Sequence, residues 1–150
     1  MKAIILAGGR GERLRPITDK IPKPLILINN IPLIERTIKY LKKYGINEII
    51  ISSGYKSNKI ESFLKKKKNF GCQIIFSIEK TPLGTGGAIK KALKHVGEES
   101  FLVLNGDVVT NINLRKILKK PNTIAALSLI HISEPTRPRL ISYAVFCLKK

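Results

Sequence analysis

The sequence predicts an α/β fold with a mostly parallel central sheet. Two observations lead there. Short apolar runs of strand length alternate along the chain with segments whose apolar residues fall at helical spacing. The runs end at glycines, serines or acids, as strands do where they hand over to a loop. Strand–helix–strand units of this kind close as right-handed crossovers, and ligands gather at the carboxyl ends of their strands. A length of 150 residues fits one domain, and a hydrophobic content of 43% supports one packed core.

The first apolar run, residues 2–7, reads as a buried strand ending in Gly8-Gly9. Pro32 suits the first turn of a helix that turns Leu33, Ile34, Thr37, Ile38 and Leu41 inward, and Gly45 stands where a helix-ending glycine belongs. Residues 48–52 (EIIIS) form a second buried strand, followed by a helix over 57–67. Strand 72–78 and helix 86–95 repeat the pattern, and strand 101–104 stops at Asn105-Gly106-Asp107. A short helix at 114–118 leads to a strand at 123–127. The predicted strand ends therefore present Gly8-Gly9, Ser53-Gly54, Glu79 and Asp107 on one edge of the sheet.

The net charge of +18 is the compositional oddity. Its lysines are spread over predicted helix faces, at 39, 42, 43, 65–68, 90, 91 and 94. Aromatic residues are 6% and are not interleaved with basic ones as in single-strand binders. The reading is a solvated surface that favours small polyanions, with no nucleic-acid partner. The apolar run after Met1-Lys2 is far too short for a secretory core or a membrane span, so no membrane partner is expected. Cys72 and Cys147 fit neither a disulfide framework nor a CxxC metal site, which suits a reduced, cytoplasmic interior. Cys72 reads as a small core hydrophobe, and His95 as a helix-end surface residue. From Leu129 onward the run LIHISEPTRPRLISYAVFCLKK loses clean periodicity and resembles translated sequencing-adapter read-through. Residues 129–150 are expected to be a non-native tail without function, the alternative being a genuine loop plus strand.

Four constellations carry chemistry. In residues 6–16 (LAGGRGERLRP), Gly8, Gly9 and Gly11 follow a strand directly, so backbone N–H groups can approach a phosphate without side-chain obstruction. Arg13 and Arg15 can add forked, charge-assisted hydrogen bonds. No Gly-Lys-Ser/Thr follows, which excludes a P-loop, and Leu14 replaces the third glycine of the dinucleotide fingerprint. A lone glycine turn is more often structural, but eleven residues of this composition are specific. In Pro22-Lys23-Pro24, flanking prolines limit the freedom of the lysine's backbone, although a plain surface lysine is the ordinary alternative. In residues 78–88 (IEKTPLGTGGA), Gly84 and Gly86 mark a helix entry whose N-terminus and backbone donors face a ligand, or a simple packing turn. In Asn105-Gly106-Asp107, a carboxylate at a strand end can hold Mg²⁺ or cap a turn.

Residues 6–16 resemble the signature of the sugar-1-phosphate nucleotidyltransferases, and Leu14-Arg15-Pro16 separates them from the molybdenum-cofactor guanylyltransferases. The lysine, Pro-Leu-Gly-Thr and Asn-Gly-Asp elements fit the same family, and the Pro-Leu-Gly-Thr-Gly-Gly and Asn-Gly-Asp runs look most like its mannose-1-phosphate and heptose-1-phosphate guanylyltransferases. One departure is Glu12, where the family has Thr or Ser; a carboxylate there must turn away from phosphate.

The resemblance spans residues 1–128 and implies a Rossmann-like nucleotide-binding sandwich. It makes Arg13 and Lys23 catalytic. It assigns Leu6, Ala7, Gly8, Gly9, Gly11, Arg13, Glu79, Gly84 and Thr85 to the nucleotide, and Asp107 to a Mg²⁺ cofactor. The implied partners are an NTP, with GTP favoured, and a sugar 1-phosphate, with mannose 1-phosphate favoured. Thymidylyl or uridylyl transfer to glucose 1-phosphate, and a non-catalytic nucleotide-binding homologue, are the alternatives. Family members continue with a second metal-binding Asp and most of the sugar pocket, so a longer native protein is expected; a homo-oligomer is an option at full length.

Overall fold

The computed structural model describes residues 1–119, 122–127 and 142–148. Along the chain run β1 (Lys2–Ala7), α1 (Ile17–Lys20), β2 (Leu27–Ile28), β3 (Ile31–Pro32), α2 (Leu33–Lys43) and β4 (Glu48–Ser53). Then follow α3 (Ser57–Lys66), β5 (Gln73–Ile78), α4 (Gly84–Ala92), β6 (Phe101–Asn105), α5 (Leu114–Leu118), β7 (Thr123–Leu127) and β8 (Ser142–Leu148). Of the expected non-native tail, 142–148 pair as β8, and the rest lies outside the described residues.

The main sheet has the order β5-β4-β1-β6-β8-β7. β1 is central, parallel to β4 on one side and β6 on the other, and β5 extends the parallel set beyond β4. β8 and β7 add antiparallel ladders beyond β6. Helices cover both faces, which explains why β1 and β4 are runs of Ile rather than alternating patterns. On one face Ile5, Ile49, Ile51 and Leu104 pack with Ile34 and Ile38 of α2, Ile60 and Leu64 of α3, and Ile117 of α5. On the other face Ile4, Ile50 and Val103 meet Ala92 at the end of α4 and Val96. Each fully buried Ile or Leu contributes about 1.5–3 kcal/mol relative to exposure.

The chain switches sides at β1. From β1 it passes through α2 to β4 and through α3 to β5. It then crosses through α4, on the opposite face, to β6. A doubly wound sheet opens a crevice at such a reversal, beyond the carboxyl ends of its strands. The register aligns Ala7 with Ser53, Ser53 with Ile78, and Leu6 with Asn105. Gly8, Gly54, Glu79 and Gly106-Asp107 therefore step off the same edge.

The α2 terminus matches expectation closely. Gly45 has φ +78, its N–H donates to Lys42 O at 2.9 Å, and Ile46 N–H donates to Leu41 O at 3.1 Å, which is a Schellman closure. Pro32 lies just ahead of α2 instead of inside its first turn. α4 starts at Gly84, two residues earlier than periodicity indicates, and Leu93–His95 continue it as a 3₁₀ turn. The β2–β3 hairpin is absent from the sequence expectation. Asn29 and Asn30 both take positive φ, 48° and 59°, the requirement of a type I′ turn, which Asn tolerates better than most residues.

Tyr40 of α2 donates from its hydroxyl to Ile112 O, tying that helix to the loop beyond Asp107. Burial first, and the neighbouring Tyr44 second, push the Tyr40 phenol up from 10.0 to about 12. The folded protein thus holds this proton more tightly than the unfolded chain. The resulting stability is complete below pH 10 and is lost as pH rises through the interval between 10 and about 12. Urea midpoints measured across that interval should fall less steeply for Tyr40→Phe than for wild type; equal slopes would clear Tyr40 of this role.

Candidate active site

Two adjoining clefts open at the carboxyl edge of the sheet. The first, about 370 Å³, takes Leu6, Ala7, Gly8 and Gly9 from β1 and its turn and Asp107 from the end of β6. Glu79 enters it after β5, and Gly84 and Thr85 at the start of α4. The second, about 450 Å³, is lined by the turn itself, from Gly8 through Gly11 and Arg13 to Leu14. Gly8, Gly9, Lys23 and Pro82 belong to both. Apart from Arg15, every residue assigned from the sequence to catalysis, the nucleotide or the metal lines one cleft or the other. Arg13 and Asp107 fall in different ones, with Lys23 between them.

The glycines of the turn have distinct jobs. Gly11 takes φ +66, and a Cβ there would sit 2.9 Å from Thr18 Cγ2 and 3.4 Å from Lys23 Cβ. No side chain fits without moving the turn. A Cβ on Gly8 would stand 3.0 Å from Glu79 Oε1, so its absence lets the carboxylate abut the loop. Glu79 is itself held: Ser52 Oγ donates to Oε1 at 2.9 Å, and the Leu83 N–H donates to Oε2 at 3.2 Å. One acceptor position on each oxygen is left for the cleft.

Lys23 sits in a 3₁₀ turn, Lys23–Leu25, entered from Pro22 in the extended region. Its ammonium donates to Asp107 Oδ2 at 2.5 Å, with side chains about one third exposed at 32% and 39%. Arg10 and Arg13 are exposed on the second cleft and make no ion pair among the described residues. Arg15 differs from its sequence reading. It lines neither cleft, and its guanidinium lies 3.9 Å from Glu12 and 3.4 Å from Asp19, in exposed pairs worth little to stability. The Glu12 carboxylate faces Arg15 at 3.9 Å, but Glu12 also lines the second cleft, so it is not turned clear of it.

Among the described residues no three His, Cys, Asp or Glu side chains converge as a metal cage. Asp107 is an oxygen donor of the kind Mg²⁺ accepts, and that ion needs only one or two carboxylates beside phosphate oxygens and water. The residues present fit a metal carried in with a phosphate ligand. No helix among the described residues is long and apolar enough to cross a membrane.

Sequence reasoning missed Ser52 and Thr18, 0% and 1% exposed. Ser52 had a signal: Ser52-Ser53 closes an otherwise apolar strand, and polar residues at a covered strand end need partners. Thr18 carried no such mark.

A parallel sheet wound in both directions, with a glycine turn and cations at its point of reversal, defines an α/β protein of the Rossmann-like class. Residues 2–139 match the family described as Nucleotidyl transferase. The D-glycero-alpha-D-manno-heptose 1-phosphate guanylyltransferase of Campylobacter jejuni is 50% identical over 117 residues, 78% of this chain and 52% of that protein. The protein of the same name from Aneurinibacillus thermoaerophilus is 44% identical over 120 residues, 80% of this chain and 52% of that protein. HddC from Yersinia pseudotuberculosis, solved in complex with GMP-PN, has a TM-score of 0.78 at 29% identity, covering 99% of this chain and 76% of that one. The chain belongs to the nucleotidyl transferase family. It spans about half the length of the curated relatives it matches.

Proposed function

We propose that this chain carries the nucleotide-binding region of a Mg²⁺-dependent guanylyltransferase that joins GTP to a mannose- or heptose-type 1-phosphate in the cytoplasm. The observation behind it is Lys23, common to both clefts and 2.5 Å from Asp107 beside a glycine turn. The names of the relatives support guanylyl transfer. In this reading residues 1–128 form the working region, and 129–150 take no part.

A phosphate oxygen of the sugar 1-phosphate attacks the α-phosphorus of the nucleotide. The bond from that phosphorus to the bridging oxygen breaks, and pyrophosphate leaves with its electron pair. The attacking oxygen is already anionic at neutral pH, so no protein nucleophile or base is needed. Catalysis reduces to placement and neutralisation of charge. Arg13 holds the departing phosphates, Lys23 stands against the transferred one, and the turn at Gly8, Gly9 and Gly11 offers main-chain donors. Asp107 would hold Mg²⁺, which supplies charge neutralisation between the phosphates when bound.

The test is pyrophosphate release by the protein extended to the length of its relatives. GTP, UTP, dTTP and CTP are each paired with mannose, heptose and glucose 1-phosphates. Release should be fastest with GTP and a manno-configured sugar, and should stop with a chelator. Preference for dTTP or UTP with glucose 1-phosphate would reassign base and sugar, and no release with any pair would remove the enzymatic reading.

A further inference from the structure

We propose that Thr18, braced by Tyr55, is a positioning residue that sets the phosphate-facing turn from a layer behind it; this rests on the nucleotide-binding reading above. Neither residue lines a cleft, so any effect on a ligand passes through Gly11. The Thr18 hydroxyl donates to Gly11 O at 2.9 Å, and the same carbonyl accepts the Leu14 N–H at 2.9 Å, closing the turn Glu12–Leu14 that carries Arg13. Thr18 Cγ2 also fills the space where a Gly11 side chain would lie, and Lys23 Cβ stands 3.4 Å from that same position. One buried side chain thus contacts the turn bearing Arg13 at a residue whose missing side chain would also meet Lys23.

What holds Thr18 is unusual for so short a helix. The last carbonyls of a helix lack partners within it, and α1 has only four residues. Here three consecutive carbonyls each receive a donor from the start of α3 or just before it. Tyr55 O–H donates to Thr18 O at 3.1 Å, Lys56 Nζ donates to Asp19 O, and Lys59 Nζ donates to Lys20 O at 2.7 Å. The connection from β4 into the first turn of α3 is therefore strapped to α1, and α1 to the turn. Because the peptide is planar and trans, a Gly11 C=O fixed toward α1 directs the Glu12 N–H away from α1. Loss of the hydroxyl frees that plane to rotate.

The prediction concerns the outer phosphates specifically. GTP and GMP affinities are measured by calorimetry on the full chain and on Thr18→Val, Thr18→Ser and Tyr55→Phe. Thermal unfolding confirms that each variant is folded. Thr18→Val keeps the volume and removes the donor. Its preference for GTP over GMP should shrink roughly tenfold, the scale of one lost hydrogen bond. Tyr55→Phe, which alters only a half-buried hydroxyl, should shrink it in the same direction, and Thr18→Ser should restore it. Wild-type preference in both Thr18→Val and Tyr55→Phe overturns this inference alone. A wild-type chain that binds neither nucleotide overturns the nucleotide reading along with it.

Discussion

Replacing Lys23 with methionine should lower nucleotidyl transfer by roughly 10²–10³-fold, the loss that follows removal of one fixed donor from a developing charge. The substitution preserves an unbranched stem and deletes only the ammonium. Little stability should go with it, because the Lys23–Asp107 pair is about one third exposed and pairs so placed contribute about 0–1 kcal/mol. Lys23 stands where the two clefts join, beside Asp107 in one and the Arg13-bearing turn in the other. A ligand extended across both must pass it. Steady-state kinetics on the extended protein, with unfolding midpoints as control, checks this. A kcat within about threefold of wild type, with KM unchanged, would take Lys23 out of the chemistry.

Gly106→Ala should cost about 1–3 kcal/mol of stability, through overpacking, and most of the activity. A Cβ at Gly106 would stand 2.8 Å from Leu6 O and 3.1 Å from Ile5 Cγ2. Both belong to the central strand, which is fixed by parallel ladders on either side, so neither can yield. The Gly106 N–H already donates to Leu6 O at 2.8 Å, and a forced separation breaks that bond as well. Asp107 is the next residue, so its carboxylate moves with the displaced backbone. The readouts are a lowered urea midpoint and a loss of turnover that persists at temperatures where the variant is folded. A variant as stable as wild type would mean that the strand edge is softer than these distances require.

The parallel sheet was legible because its strands are covered on both faces. Burial on two sides demands runs such as Ala3-Ile4-Ile5 and Ile49-Ile50-Ile51, which stand out against polar surroundings. The helices were legible at α2 and α3, where one apolar stripe faces the sheet. The start of α4 was not, because Gly84-Thr85-Gly86-Gly87 has no stripe to read. At the site, residue types tied to a local run were visible: the glycines, the proline-flanked lysine, the aspartate at a strand end. What could not be read were partnerships across sequence, such as Ser52 with Glu79 or Tyr55 with Thr18, which exist only once strands pair. Arg15 illustrates the converse. Its type and place in the motif suggest a phosphate contact, while the local turn delivers it to Glu12 and Asp19.

The buttressed carboxylate of Glu79 has one more consequence. It stands in the first cleft, whereas Arg10 and Arg13 stand in the second, and Lys23 compensates Asp107 where the two meet. Fixed charge therefore differs between the two adjoining clefts, from an end with a carboxylate acceptor to an end where Arg10 and Arg13 outnumber Glu12. A guest with a hydrogen-donating ring at its head and an anionic tail meets attraction throughout in one orientation and repulsion at both ends in the other. Direction of entry is thus decided by electrostatics before any close fit is made.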